Sequence, residues 1–87
     1  MKKHTRIYMK AFGYYEGDYI PSEISGQPAV DIHHIEKRGK GKDVPELLIA
    51  LTREEHERAE LRKQPYLRAE ELKEIHKRFM IKRNERI

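Results

Sequence analysis

The chain has 87 residues, no cysteine, 39% charged side chains, and 19 Lys+Arg against 15 Asp+Glu for a formal net charge of +4. That length fits one small domain whose apolar core leaves a thin stability margin, and the lack of cysteine excludes both a disulfide framework and a thiolate zinc site as reinforcement. No apolar run approaches the roughly 20 residues of a membrane span and Lys2-Lys3 lead into no signal-peptide stretch, so the expectation is a soluble, cytoplasmic protein with no membrane contact, its basic excess leaning toward a polyanion.

Taken in chain order, Tyr8 and Phe12 are four apart, Thr5 offers a cap and Gly13 a stop, which together predict a short helix over 5–12. His4 lies just ahead of it and carries no functional case. Gly17, Pro21, Gly26 and Pro28 punctuate the next stretch and predict an ordered loop over 14–28, packed through Tyr14, Tyr15, Tyr19 and Ile20. Residues 29–35, Ala-Val-Asp-Ile-His-His-Ile, read as a first strand. Adjacent imidazoles on a strand point to opposite faces, so His33 and His34 can serve different purposes. Asp31 shares its face with His33 and is placed to orient a histidine through the second ring nitrogen.

The segment 36–43 sets two glycines among the basic residues Lys37, Arg38, Lys40 and Lys42. Two readings stand beside each other: a backbone and charge cradle for phosphate, and a solvated hairpin loop. Leu47 to Leu51 is a short apolar run, consistent with a second, buried strand. Thr52-Arg53-Glu54-Glu55 has the form of a capping box and starts a helix expected over 52–63, with His56 and Glu60 at i and i+4 on one face and Pro65 beyond its end. A last helix over 68–83 aligns Ala69, Leu72, Ile75, Phe79 and Met80 as an apolar stripe, with His76 beside it as a semi-buried packing residue. Lys77, Arg78, Lys82, Arg83 and Arg86 have two readings, a second phosphate-binding surface and the charged face of that helix, and charge runs usually mean the latter. The order is that of a single α+β unit.

With these residues in view, Asp31-Ile32-His33-His34-Ile35, the basic glycine-containing loop, Leu47-Leu48-Ile49-Ala50-Leu51 and Thr52-Arg53-Glu54-Glu55-His56 together resemble an HNH endonuclease of the ββα-metal kind common in phage genomes. The resemblance implies a small ββα-metal core at about 21–63 with added N- and C-terminal helices, and hydrolysis of DNA phosphodiester bonds in the host cytoplasm. It assigns His34 as general base, His33 and His56 as metal ligands, and Glu60 to the position of a further ligand that is histidine in the colicin-like branch. One divalent ion is implied, Mg²⁺, Mn²⁺, Zn²⁺ or Ni²⁺. Asp31 would orient a ligand, and Lys37, Arg38, Lys40 and Lys42 would hold DNA through its backbone phosphates.

Two positions depart from the family's pattern. Leu47 stands where the middle Asn would sit, which removes a polar group that pins the basic loop. Ser22, Ser25, Thr52 and Glu55 stand where many phage relatives carry the two cysteine pairs of a zinc ribbon. A capping box contributes about 1 kcal/mol, far less than a structural zinc, so the terminal helices are expected to supply the difference. The alternative function is a catalytically inactive HNH-like protein that binds nucleic acid or assists packaging. A homodimer, or a partner in phage packaging or recombination, fits either function.

Overall fold

The computed structural model describes residues 2–37, 39–60 and 63–85. Helix α1 spans Lys3–Phe12 and strand β1 Asp31–His34; a 3-10 turn, Pro45–Leu47, leads into strand β2, Leu48–Leu51; helix α2 covers Arg53–Glu60 and helix α3 Ala69–Glu85. Among the described residues this is an α+β arrangement of three α-helices and a two-stranded antiparallel sheet.

Helix α1 starts two residues before Thr5, with Lys2 at the N-cap and no side-chain cap, so the hydroxyl of Thr5 lies inside the helix and does not open it. Packing explains why the helix forms there: His4, Tyr8 and Met9 face inward and are buried. Its end follows the sequence. Gly13 adopts φ +79°, a conformation that costs other residues a Cβ clash, and the Tyr14 amide closes back on the Met9 carbonyl at 2.8 Å.

In the loop that follows, Pro21 and Pro28 form an isolated bridge, the Ser22 amide donates to Gln27 O at 2.8 Å and the Ala29 amide to Ile20 O at 2.9 Å. Tyr14 and Ile20 pack as expected, but Tyr15 and Tyr19 are 78% and 60% exposed. One inward place follows the glycine turn, and Tyr14 takes it. Its ring stacks parallel to Tyr8 at 6.2 Å with the Arg83 guanidinium 4.8 Å above it. The Tyr19 hydroxyl instead crosses the loop to donate to Gly26 O at 2.5 Å.

The strands pair in the register Asp31↔Leu51, Ile32↔Ala50, His33↔Ile49 and His34↔Leu48. Beyond the regular ladder, the Val30 amide donates to Leu51 O at 3.1 Å and the Ile35 amide to Leu47 O at 2.8 Å, so the paired segment nearly fills the expected 29–35. Alternation divides the sheet between two cores. On one side Ile32, Leu48 and Ala50 meet Tyr8 of α1; on the other Ile49 and Leu51, with Ile35, meet Leu72 of α3. All four residues of β2 are buried, which is why that run is continuously apolar.

The capping box at the start of α2 is formed on both arms, the Glu55 amide donating to Thr52 Oγ1 at 3.1 Å and the Thr52 amide to Glu55 Oε1 at 2.9 Å. Among the described residues the helix covers Arg53–Glu60; Leu61 and Arg62, over which its expected extension runs, lie outside them. In α3 the expected stripe holds at Leu72, Ile75, Phe79 and Met80, whereas Ala69 is exposed. His76 is fully buried and not semi-buried. Its Nδ1 lies 2.8 Å from Glu23 Oε1, its Nε2 donates to Pro45 O at 2.6 Å, and the Tyr8 hydroxyl donates to Glu23 Oε2 at 2.6 Å. This network ties α1, the loop, the 3-10 turn and α3 together through the interior. Burial, followed by the neighbouring Glu23 carboxylate, pushes the Tyr8 phenol above its ordinary pKa.

Candidate metal centre

Strand alternation turns Asp31 and His33 toward α2, and the i,i+4 spacing turns His56 and Glu60 back toward them. Their side chains converge. Ligand atoms of His33, His56 and Glu60 all lie within 4.8 Å of one another. His33 Nδ1 is 3.5 Å and His56 Nε2 3.9 Å from the same oxygen, Glu60 Oε2, and the two rings meet edge-on with centroids 5.0 Å apart. These separations are long for hydrogen bonds, yet two donors each about 2.1 Å from a tetrahedral ion would stand roughly 3.4 Å apart. The three residues could hold one metal ion, with two borderline nitrogen donors and a hard oxygen.

Electrostatics prepare the ligands. Burial, then the neighbouring His56, pulls the His33 pKa from 6.5 down to about 4, so the ring is neutral and able to donate a lone pair at neutral pH. On the far side of the His56 ring, Nδ1 lies 3.2 Å from Asp31 Oδ2, which also meets Arg53 Nε at 3.3 Å. Asp31 therefore lies against His56 Nδ1, and His56 Nε2 faces the cluster.

His34 faces the other way, toward α1. Its Nε2 contacts Asp43 Oδ1 at 2.6 Å, which holds the Asp43 carboxyl below its ordinary pKa, and its ring lies 4.5 Å from that of His4. Although His33 and His34 occupy opposite faces, both line one cleft of about 650 Å³, together with Lys2, His4, Lys37 and His56. A single ligand in that cleft can touch the three-residue cluster and His34.

Ion pairs tie Lys42 of the basic loop and Lys73 of α3 to Glu36. Lys42 Nζ contacts Glu36 Oε1 at 2.6 Å and Lys73 Nζ contacts Glu36 Oε2 at 2.8 Å, and these two cations draw the Glu36 carboxyl down to about 2. Lys42 is thereby engaged within the protein. Lys37 is exposed at the cleft and Lys40 exposed on the loop, while Arg38 lies outside the described residues.

Ser22, Ser25, Thr52 and Glu55 meet at one place. The Ser22 hydroxyl donates to Glu55 Oε1 at 2.5 Å and accepts from the Ile24 and Ser25 amides at 3.1 and 3.3 Å. Burial alone would raise the Glu55 carboxyl, but hydrogen bonds from Ser22, Thr52 and Ser25 outweigh it and keep the pKa below the ordinary value.

His4, to which the sequence gives no functional case, and Asp43, which it does not mark, both lie against His34. His4 has a signal in hindsight, since positions 4, 8 and 12 lie on one helical face and Tyr8 and Phe12 are both apolar. Asp43 has none, because nothing local says which way a loop carboxylate turns.

No protein-family model, curated protein or solved structure matches this chain.

Proposed function

We propose that the protein is a metal-dependent endonuclease that hydrolyses DNA phosphodiester bonds in the histidine cleft. The observation that carries this reading is the convergence of His33, His56 and Glu60, from two elements far apart in sequence, on a point that shares its opening with His34. The donor set suits one divalent cation, and such an ion, when bound, stabilises negative charge on a phosphodiester and its leaving oxygen. The meeting of Ser22, Ser25, Thr52 and Glu55 adds support, because these are the four positions that the HNH resemblance equates with a zinc ribbon.

The chain's own groups then have distinct tasks. His33, His56 and Glu60 would hold the ion, and Asp31 fixes the His56 ring so that Nε2 faces inward. Asp43 accepts from His34 Nε2–H, which selects the tautomer whose Nδ1 carries a lone pair; that nitrogen takes the proton as water attacks phosphorus. Lys2 and Lys37 at the rim attract the phosphate backbone.

The test is nicking of supercoiled plasmid in Mg²⁺, Mn²⁺, Ni²⁺ or Zn²⁺. The full chain should nick in at least one metal and fail in EDTA, while His34→Ala should lose about 100-fold or more of the rate. Equal rates from both proteins would overturn the assignment of the base. A second reading, an inactive nucleic-acid-binding relative, is favoured by one observation: Asp43 occupies the nitrogen of His34 that points out of the strand. It predicts DNA binding with no nicking in any of the four metals.

A further inference from the structure

The whole net charge of the chain sits in its first fifteen residues. Lys2, Lys3, Arg6 and Lys10 precede the first acidic residue, Glu16, and removing these four from the 19 basic residues leaves 15, which equals the 15 acidic residues of 16–87. All four side chains are exposed, and none forms an ion pair among the described residues. Elsewhere Lys42 and Lys73 are engaged on Glu36, Arg53 on Asp31, Lys63 on Glu57 and Arg78 on Glu74, while Lys37, Lys40, Lys77 and Lys82 are exposed outside any ion pair among the described residues but are scattered over the loop and α3.

The local structure of α1 points the same way. Its first turn has no acidic residue and no side-chain cap, and lysines stand at the N-cap and first helical position. Cations there oppose the helix dipole, whereas an arriving anion would complement both the dipole and the free amides. Violations of local helix rules tend to fall where a function needs them.

Position supplies the direction. Lys2 lines the histidine cleft with His33, His34 and His56; Lys2 and Lys3 line the adjoining recess at His34 and Asp43; Arg6 and Lys10 line a groove of about 560 Å³ further along α1. Residues 2, 6 and 10 are one turn apart and share a side of the helix. At about 1.5 Å per residue they span roughly 12 Å, the axial length of three to four phosphates along one strand of duplex DNA.

We infer that the exposed edge of α1, formed by Lys2, Lys3, Arg6 and Lys10, is a docking surface for the duplex DNA backbone and leads a strand into the histidine cleft. The inference rests on the proposed nuclease reading for the identity of its polyanion. Docking through α1 gives affinity without base readout and a strong dependence on salt.

The experiment measures binding of the full chain to a short fluorescein-labelled DNA duplex across a series of salt concentrations, in EDTA so that no cleavage intervenes. Arg6→Gln/Lys10→Gln should weaken binding about tenfold at low salt and lower the slope of log K against log salt by about 2, one for each lost phosphate contact. Lys77→Gln/Lys82→Gln on α3, matched in charge, should leave the slope unchanged, and circular dichroism should show both variants folded. An α1 variant that keeps the wild-type affinity and slope would overturn the inference, as would a wild-type chain that does not bind the duplex. Plasmid nicking separates the two readings: binding that depends on α1 without nicking sinks the nuclease and leaves the docking surface standing, while nicking with binding indifferent to α1 does the reverse.

Discussion

Two clusters in this small protein are built from the same chemistry, imidazole and carboxylate, and differ in what surrounds them. At Glu23–His76 both side chains are fully buried, both ring nitrogens have partners at 2.8 and 2.6 Å, and a tyrosine hydroxyl completes the carboxylate. At His33–His56–Glu60 the contacts are 3.5 and 3.9 Å, Glu60 is 59% exposed, and the group opens into a cleft. A closed cluster with every atom partnered can only hold the fold together; an open one with donors too far apart to satisfy each other has room for a third party.

The contrast can be broken most forcefully at Glu23. Glu23→Ala strands His76 and the Tyr8 hydroxyl in the interior, and the expected loss is about 3–5 kcal/mol in a denaturant titration. A loss below about 1 kcal/mol would show that the network is incidental. His56→Ala should do the opposite, leaving metal-free stability within about 1 kcal/mol while divalent-ion affinity by calorimetry falls beyond the roughly 100-fold that bounds the loss of an orienting partner. If unfolding and metal affinity moved together in both variants, the two clusters would be doing one job.

Smaller effects sharpen the same line. Asp31→Asn keeps the shape but weakens the acceptor for His56 Nδ1, and should cost about 10–100-fold in ion affinity with little change in melting. In the metal-free chain, unfolded His33 takes up a proton near pH 6.5 and folded His33 only near 4, so stability should fall as pH drops from 6.5 to 4, by roughly 1 to 2 kcal/mol after solvent screening. A His33→Gln chain should lose that slope in acid titrations followed by circular dichroism. Smallest is Thr52→Ala, which removes one arm of the capping box and should cost about 1 kcal/mol, read as a lower melting temperature.

Much of the fold was legible because its signals are local. The capping box at Thr52–Glu55 satisfies amides within four residues, Gly13 ends α1 through its own backbone freedom, and the apolar run at Leu48–Leu51 announces a strand covered on both sides. In the candidate site, the opposed faces of His33 and His34 and the shared face of His56 and Glu60 follow from the periods of strand and helix. The failures also have physical causes. Tyr15 and Tyr19 look like packing groups in the sequence because an aromatic ring carries no mark of the direction in which a loop turns it, and the full burial of His76 has no local signal because its partners, Glu23 and Pro45, are 53 and 31 residues away.

Periodicity and turn chemistry in the sequence determined which elements form, where α1 ends and α2 begins, and which side chains of a strand or helix share a face, since these depend on neighbours a few residues apart. Only the tertiary structure decided that α2 brings His56 and Glu60 to His33, that Asp43 reaches His34, and that the charges of α1 border the same cleft. Those contacts join residues from separate elements, and their distances are set by how the helices pack on the sheet.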